Sequence, residues 1–151
     1  MLVREVGERR LSGRIIEVEA YQGPEDLAAH SAGGRRTART EVMYGEAGLI
    51  YVYLVYGMHH CLNFVTREKG VPHAVLVRAL EPGPGVGRAA GPGLLCRALE
   101  IDRSLNGLVA EPPHLYVVDD GFRPAQIRSG PRVGVGYSGE WKERPWRFRC
   151  G

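Results

Sequence analysis

"GLIYVYLVYGMHHCLNFVTR", residues 48 to 67, reads as two short strands joined by a turn. Ile50, Val52 and Leu54 alternate with Tyr51 and Tyr53, the period-two pattern of a strand with one aliphatic and one aromatic face. Tyr56-Gly57-Met58 falls where the chain must turn back into "HHCLNFV", with glycine supplying the backbone freedom a tight hairpin needs. The reading therefore places Tyr56 and Met58 at a hairpin tip. Tyr51 and Tyr53 fit a half-buried sheet face without further explanation. Large apolar side chains at a tip project into solvent, which suits insertion into a partner better than service in a core.

Outward from the hairpin, "GRIIEVEAYQGPEDLAAH" at 13 to 30 begins as a strand with Glu17, Glu19 and Tyr21 on one face and Ile16, Val18 and Ala20 on the other. "AVLVRALEP" at 74 to 82 is apolar enough for a central strand, yet Arg78 interrupts it. A guanidinium there must pair with an acid or face a polar cleft, and Glu17 or Glu19 is the natural partner. Further strands are expected near 2 to 6, 12 to 20, 49 to 55, 60 to 66, 73 to 81, 114 to 119 and 132 to 136. "GPGLLCRALEID" at 91 to 102 is the best helix, with Pro92 near its first position, and residues 24 to 29 suggest a shorter one. Twenty-one glycines and ten prolines cut the chain into short segments, and "EPGPGVGRAAGPG" at 81 to 93 is the one biased tract. The fold class expected is α+β: a single mixed domain over 1–151, with a curved antiparallel sheet, surrounding helices and a protruding hairpin.

The chain has 151 residues, 44% hydrophobic and 25% charged, enough for a real core. No stretch reaches the roughly 18 uninterrupted apolar residues of a spanning helix, and no membrane partner is expected. The opening "MLVREVGERRLSGR" lacks the apolar run of a secretory signal, so the cytoplasm or nucleoid is the expected address. Cys61, Cys96 and Cys150 are odd in number and far apart, as reduced thiols rather than a disulfide framework would be. The net charge of +3 and pI near 8.9 permit a nucleic-acid partner. Arginine supplies nearly all the positive charge, and its planar fork suits phosphate oxygens. "SAGGRRTART" at 31 to 40 sets Arg35, Arg36 and Arg39, with Thr37, on a glycine-containing loop next to His30. That loop is either solvated or a phosphate contact.

Taken in order, "EVEAYQGPEDLAAHS", "YVYLVYGMHHCLN", "VRALEP", "GPGLLCRAL" and "RVGVGYSGEW" resemble the alkyladenine (3-methyladenine) DNA glycosylase family. The resemblance spans most of the chain. It implies a monofunctional base-excision enzyme, monomeric and without cofactor or metal, that flips an alkylated or deaminated purine out of duplex DNA. Water then hydrolyses the N-glycosidic bond. Glu19 matches the family's general base, Arg78 a water- and phosphate-positioning arginine, and the Val133 backbone carbonyl a second water ligand. Tyr21 and Tyr53 match opposite walls of the base pocket. His30 matches a residue that recognises the purine edge, with the Ala28 carbonyl close by, and Asn63 one that crowds a guanine 2-amino group. Tyr56 matches the wedge that fills the gap left by the flipped nucleotide, beside Met58.

The resemblance gives the acid beside a ring a chemical sense. Glycosidic cleavage develops oxocarbenium charge, which a carboxylate stabilises while it orients water. An aromatic slot holds the extruded base and attracts a cationic one by roughly 0.5 to 2 kcal/mol. Glu17 reads as a polar or salt-bridging neighbour, since carboxylates two apart on one strand do not straddle a substrate. His59, His60 and Cys61 are adjacent in a strand and point alternately, so they do not chelate zinc together. Two rivals are a non-catalytic DNA-distortion sensor, which needs the wedge but not Glu19, and a metal-dependent nuclease using Glu17, Glu19 and His30. The chain departs from the family at Ala38, where a proline is common, in the short Pro82–Gly91 connection, and in opening directly on a strand. These departures bear on DNA affinity and stability.

Overall fold

The computed structural model describes residues 1–151. Its eight strands form one sheet that curls into a half-barrel, with every named pairing antiparallel. The strands are β1 (Leu2–Val6), β2 (Arg9–Gln22), β3 (Ile50–Val55), β4 (His59–Val65), β5 (His73–Pro82), β6 (Leu115–Val117), β7 (Ile127–Gly130) and β8 (Arg147–Cys150). Their order is β3-β4-β5-β2-β1-β6. The long strand β2 pairs with β1 over Arg9–Gly13 and with β8 over Glu17–Glu19, while β5 follows it from Gly13 to Gln22. Glu19 therefore stands on an interior strand, held between β5 and β8.

Two irregularities decide where that acid points. Ile15 pairs with Leu80 and Glu17 with Ala79, leaving Ile16 as an extra residue on β2; Val18 then pairs with Val77, leaving Arg78 as the extra residue on β5. A single extra residue reverses the face on which later side chains fall. Leu11 and Ile15 accordingly pack with the main core, whereas Tyr21, of the same odd parity, lines a cavity on the other side. On β5, Val77 and Leu80 both enter the core, and Arg78 between them is turned to the cavity.

The main core joins Leu2, Ile50, Val52, Leu62, Val77, Leu80 and Leu115 of the sheet to Leu95 and Leu99 of the one α-helix, α1 (Pro92–Ala98), and its exit. Tyr51 and Tyr53 lie on the opposite face with Met43 and Ala74. The helix is shorter than the expected 91 to 102. Its end is a reversal in which Glu100 takes φ +52, the Glu100 N–H bonds Arg97 O, and the Ile101 N–H bonds Cys96 O at 2.7 Å. That geometry returns Ile101 to the core and stops the helix.

Residues 24 to 29 form turns, not the expected short helix. The Asp26 carboxylate takes the Gln22 and Ala28 N–H groups, competing with the helical hydrogen bonds. Residues 132 to 136 form no strand either, since Gly134 adopts φ +75 and Val133 and Val135 both turn to the cavity. The late strands lie on both sides of that loop, in β7 and β8, each only four residues long and so too short to stand out by alternation. The rest of the helical content is four 3₁₀ segments, at Ala32–Gly34, Glu41–Tyr44, Arg103–Leu105 and Gly136–Glu143.

Candidate active site

A cavity of about 470 Å³ opens against the aromatic face of the sheet. Pairing across the strands sets Glu19 beside Leu76, Leu76 beside Asn63, and Asn63 beside Tyr51, so one row of side chains crosses β2, β5, β4 and β3. Glu19 is 0% exposed. Its Oε2 accepts the Tyr21 hydroxyl at 2.8 Å, its Oε1 accepts the Val133 N–H at 2.8 Å, and Arg78 Nε lies 3.5 Å away. Tyr21, Val133 and Arg78 all line the cavity, so the carboxylate sits immediately beneath their surface. Burial, reinforced by Glu19, raises the Tyr21 phenol well above its ordinary range, and its proton stays available for this bond.

Arg78 is anchored from the other side. Its Nε donates to Glu17 Oε1 at 3.0 Å, closer than to Glu19, and Arg147 of β8 approaches the same Glu17 oxygen at 3.6 Å. Both acids named as candidate partners thus flank Arg78, with Glu17 as its hydrogen-bonded one. Glu17, Glu19 and His30 are not gathered into a metal-binding group, and neither are the adjacent His59, His60 and Cys61.

The aromatic walls are cross-braced. Tyr53 lies 5.4 Å from Tyr51, and His30 meets Tyr53 edge-on with centroids 4.6 Å apart. His30 Nδ1 is 2.9 Å from the Tyr51 hydroxyl. Burial, with Arg39 and Arg35 nearby, pushes the His30 pKa down to about 4, so the ring is neutral at physiological pH. Burial likewise pushes the Tyr51 phenol up to about 12. The Asn63 amide donates to Tyr51 O at 3.2 Å, fixing it in the cavity wall. Ala28 is 2% exposed, and its carbonyl accepts the hydroxyl of Tyr137 at 3.1 Å.

Sequence reasoning missed the brace behind Tyr21. Arg132 and Asp26 are both closed from solvent and paired twice, with Arg132 Nη2 2.8 Å from Asp26 Oδ1. Arg132 also donates to Ala20 O and lies over the rings of Tyr21, at 4.7 Å, and Trp146, at 5.1 Å. Burial alone would raise the Asp26 carboxyl, but hydrogen bonds from Arg132 and two backbone N–H groups overcome it and hold the pKa below the ordinary value. Arg132 adjoins Val133 of the quoted "RVGVG", but nothing local marks a partner 106 residues away.

The β3–β4 hairpin carries Tyr56 and Met58 at its tip, as its sequence pattern predicts, and Tyr56 also lines the cavity. Tyr56 and Met58 are 89% and 70% exposed. The Met58 N–H bonds Val55 O at 3.1 Å, and Tyr56 and Gly57 take φ of +53 and +65, a reversed turn of the kind that matches strand twist. The basic loop is held by side-chain contacts: Arg36 is bidentate to Glu41 at 2.9 and 2.7 Å and stacks on Tyr44, while Arg39 lies 5.1 Å over Tyr53. Thr37 and Thr40 close the loop on itself, the Thr37 N–H donating to Thr40 Oγ1 at 2.8 Å. Arg35 is exposed, and its backbone carbonyl accepts from Tyr44 and Thr40.

The structure thus brings together a buried acid, an aromatic cavity above it and an exposed apolar hairpin tip at the cavity's edge, the concave, mostly apolar setting with a few convergent polar groups that marks a binding site. The chain belongs to the methylpurine-DNA glycosylase family, which it matches over residues 1–151. It is 47% identical over 169 residues to a Desulfitobacterium hafniense protein named "Putative 3-methyladenine DNA glycosylase", covering 98% of this chain and 83% of that one. Proteins of the same name from Myxococcus xanthus and Bacillus cytotoxicus are 49% and 44% identical, over 98% and 97% of this chain and 77% and 84% of theirs.

Proposed function

We propose that this protein excises damaged purines from duplex DNA, the substrates being alkylated or deaminated bases of the 3-methyladenine, 7-methylguanine, hypoxanthine and ethenoadenine type. The observation that carries this reading is the placement of Glu19, a carboxylate closed from bulk water and separated from an aromatic cavity only by Tyr21, Arg78 and Val133. In that position Glu19 takes a proton from a water that attacks C1′, as the bond from C1′ to the base nitrogen breaks and the purine departs. Arg78, held by Glu17, steadies the water and an adjacent phosphate, with the Val133 backbone alongside. Tyr21 and Tyr53 stack the extruded base, while His30 and the Ala28 carbonyl read its edge. Asn63 crowds a guanine 2-amino group and so selects against normal guanine. Tyr56, with Met58, fills the place the base has left, offsetting the few kcal/mol that flipping costs. Arg35, Arg36, Thr37 and Arg39 meet the DNA backbone, a role open to Arg36 because its exposed pair with Glu41 is weak.

The test is incubation of the monomeric protein with duplexes carrying one defined lesion each. Free base should be released, mild alkali should be needed to break the strand at the abasic site, and a chelator should leave the rate unchanged. Borohydride should trap no protein–DNA adduct, because water and not a lysine is the nucleophile. Retention of every base, or chelator-sensitive strand cleavage without alkali, would overturn the reading.

A further inference from the structure

The polar groups around the cavity are not held alike. His30 Nδ1 is bonded to the phenol of buried Tyr51, the Asn63 amide to a buried carbonyl, and the Tyr21 hydroxyl to buried Glu19. Those partners are all buried in the sheet. The Ala28 carbonyl differs, because its partner is the hydroxyl of Tyr137, a residue 72% exposed that lines the cavity and reaches the carbonyl from the 3₁₀ segment Gly136–Glu143. Tyr137 can swing away at little cost, whereas Ala28, 2% exposed, cannot turn to water.

We propose that Tyr137 is a specificity-determining residue: its hydroxyl caps the Ala28 carbonyl and yields it only to a base whose edge carries its own N–H donor. The inference rests on the proposed base-excision reading of the same cavity. A donor-bearing purine, such as hypoxanthine with its N1–H, displaces the phenol and replaces its hydrogen bond. A purine without a donor on that edge, such as 1,N6-ethenoadenine, leaves the phenol in place and the carbonyl satisfied. Tyr137 thereby lets one pocket accept both kinds of guest. Without the hydroxyl, a donor-free base would strand a desolvated acceptor, the arrangement by which polar pockets reject analogues most strongly.

Tyr137→Phe keeps the ring and removes only the cap. Single-turnover excision is measured for wild type and variant on duplexes carrying hypoxanthine or 1,N6-ethenoadenine, and binding of the two free bases is titrated in parallel. The expected result is that the hypoxanthine-to-ethenoadenine ratio rises about tenfold in the variant, in excision and in binding, with the melting temperature unchanged. A ratio unchanged within about twofold, or one that falls, would overturn the cap. Wild-type protein that binds the free bases but excises neither lesion would instead overturn the excision reading, and the binding ratio alone would then judge Tyr137. Wild-type protein that neither binds nor excises either base overturns both.

Discussion

Asp26 and Arg132 show how much of the site depends on groups outside the cavity lining. Each is fully buried, and together they tie the turn carrying Ala28 to the loop carrying Val133 while backing the Tyr21 ring. Removing one partner leaves a charge stranded out of water. Asp26→Ala should therefore lower unfolding free energy by about 3–5 kcal/mol in urea denaturation, and a loss under about 1 kcal/mol would show that the pair is not structural. His30 makes a pH-dependent contribution whose sign follows from its neutral state. Burial and the neighbouring Arg39 and Arg35 carry its pKa from about 6.5 down to about 4, so the unfolded chain binds the proton more readily. The stabilisation is complete above pH 6.5 and is lost as pH falls from 6.5 towards 4. His30→Gln should flatten the fall in melting temperature across that window, and parallel curves for the two proteins would place the acid sensitivity elsewhere.

At the scale of elements, the β3–β4 hairpin separates folding from function most cleanly. Tyr56 holds a left-handed backbone conformation that asparagine tolerates better and that costs an ordinary side chain about 1–2 kcal/mol. Tyr56→Asn should raise the melting temperature slightly while slowing excision, most of all on well-paired lesions and least in mismatches. Tyr53→Ala should slow excision whatever the opposing base, because the slot acts after the base has left the stack. Equal proportional losses for both variants across all contexts would contradict the division between tip and wall. This hairpin was legible in the sequence because alternation, turn glycine and exposed tyrosine lie within a dozen consecutive residues. The acid face of β2 was legible from Glu17 to Tyr21 for the same reason. The paired bulges at Ile16 and Arg78 were not, since each exists only through the register between strands some sixty residues apart. Strands β7 and β8 were hidden by their length, four residues each, and the helix expected at 24 to 29 yielded to an aspartate engaged by its own backbone and a distant arginine.

Over the whole molecule, the net charge is a modest +3 and arginine supplies nearly all the positive charge; the loop from Arg35 to Arg39 carries three arginines, of which Arg39 lies over Tyr53 of the cavity wall. If they meet phosphates, replacing each with alanine should weaken damaged and undamaged duplexes alike and make the log-affinity against log-salt slope shallower by about one. An unchanged slope would return them to the solvent. The curled sheet, the interior position of β2 and the brace behind Tyr21 converge on one carboxylate, and the account stands or falls with it. Glu19→Gln keeps the shape and can still accept the Val133 N–H, so fold and lesion binding should persist. Single-turnover excision of hypoxanthine from a duplex, measured beside equilibrium binding of the same duplex, is the most direct test. The account predicts excision slower by about 10²-fold or more with binding retained; near-normal excision by Glu19→Gln would contradict it.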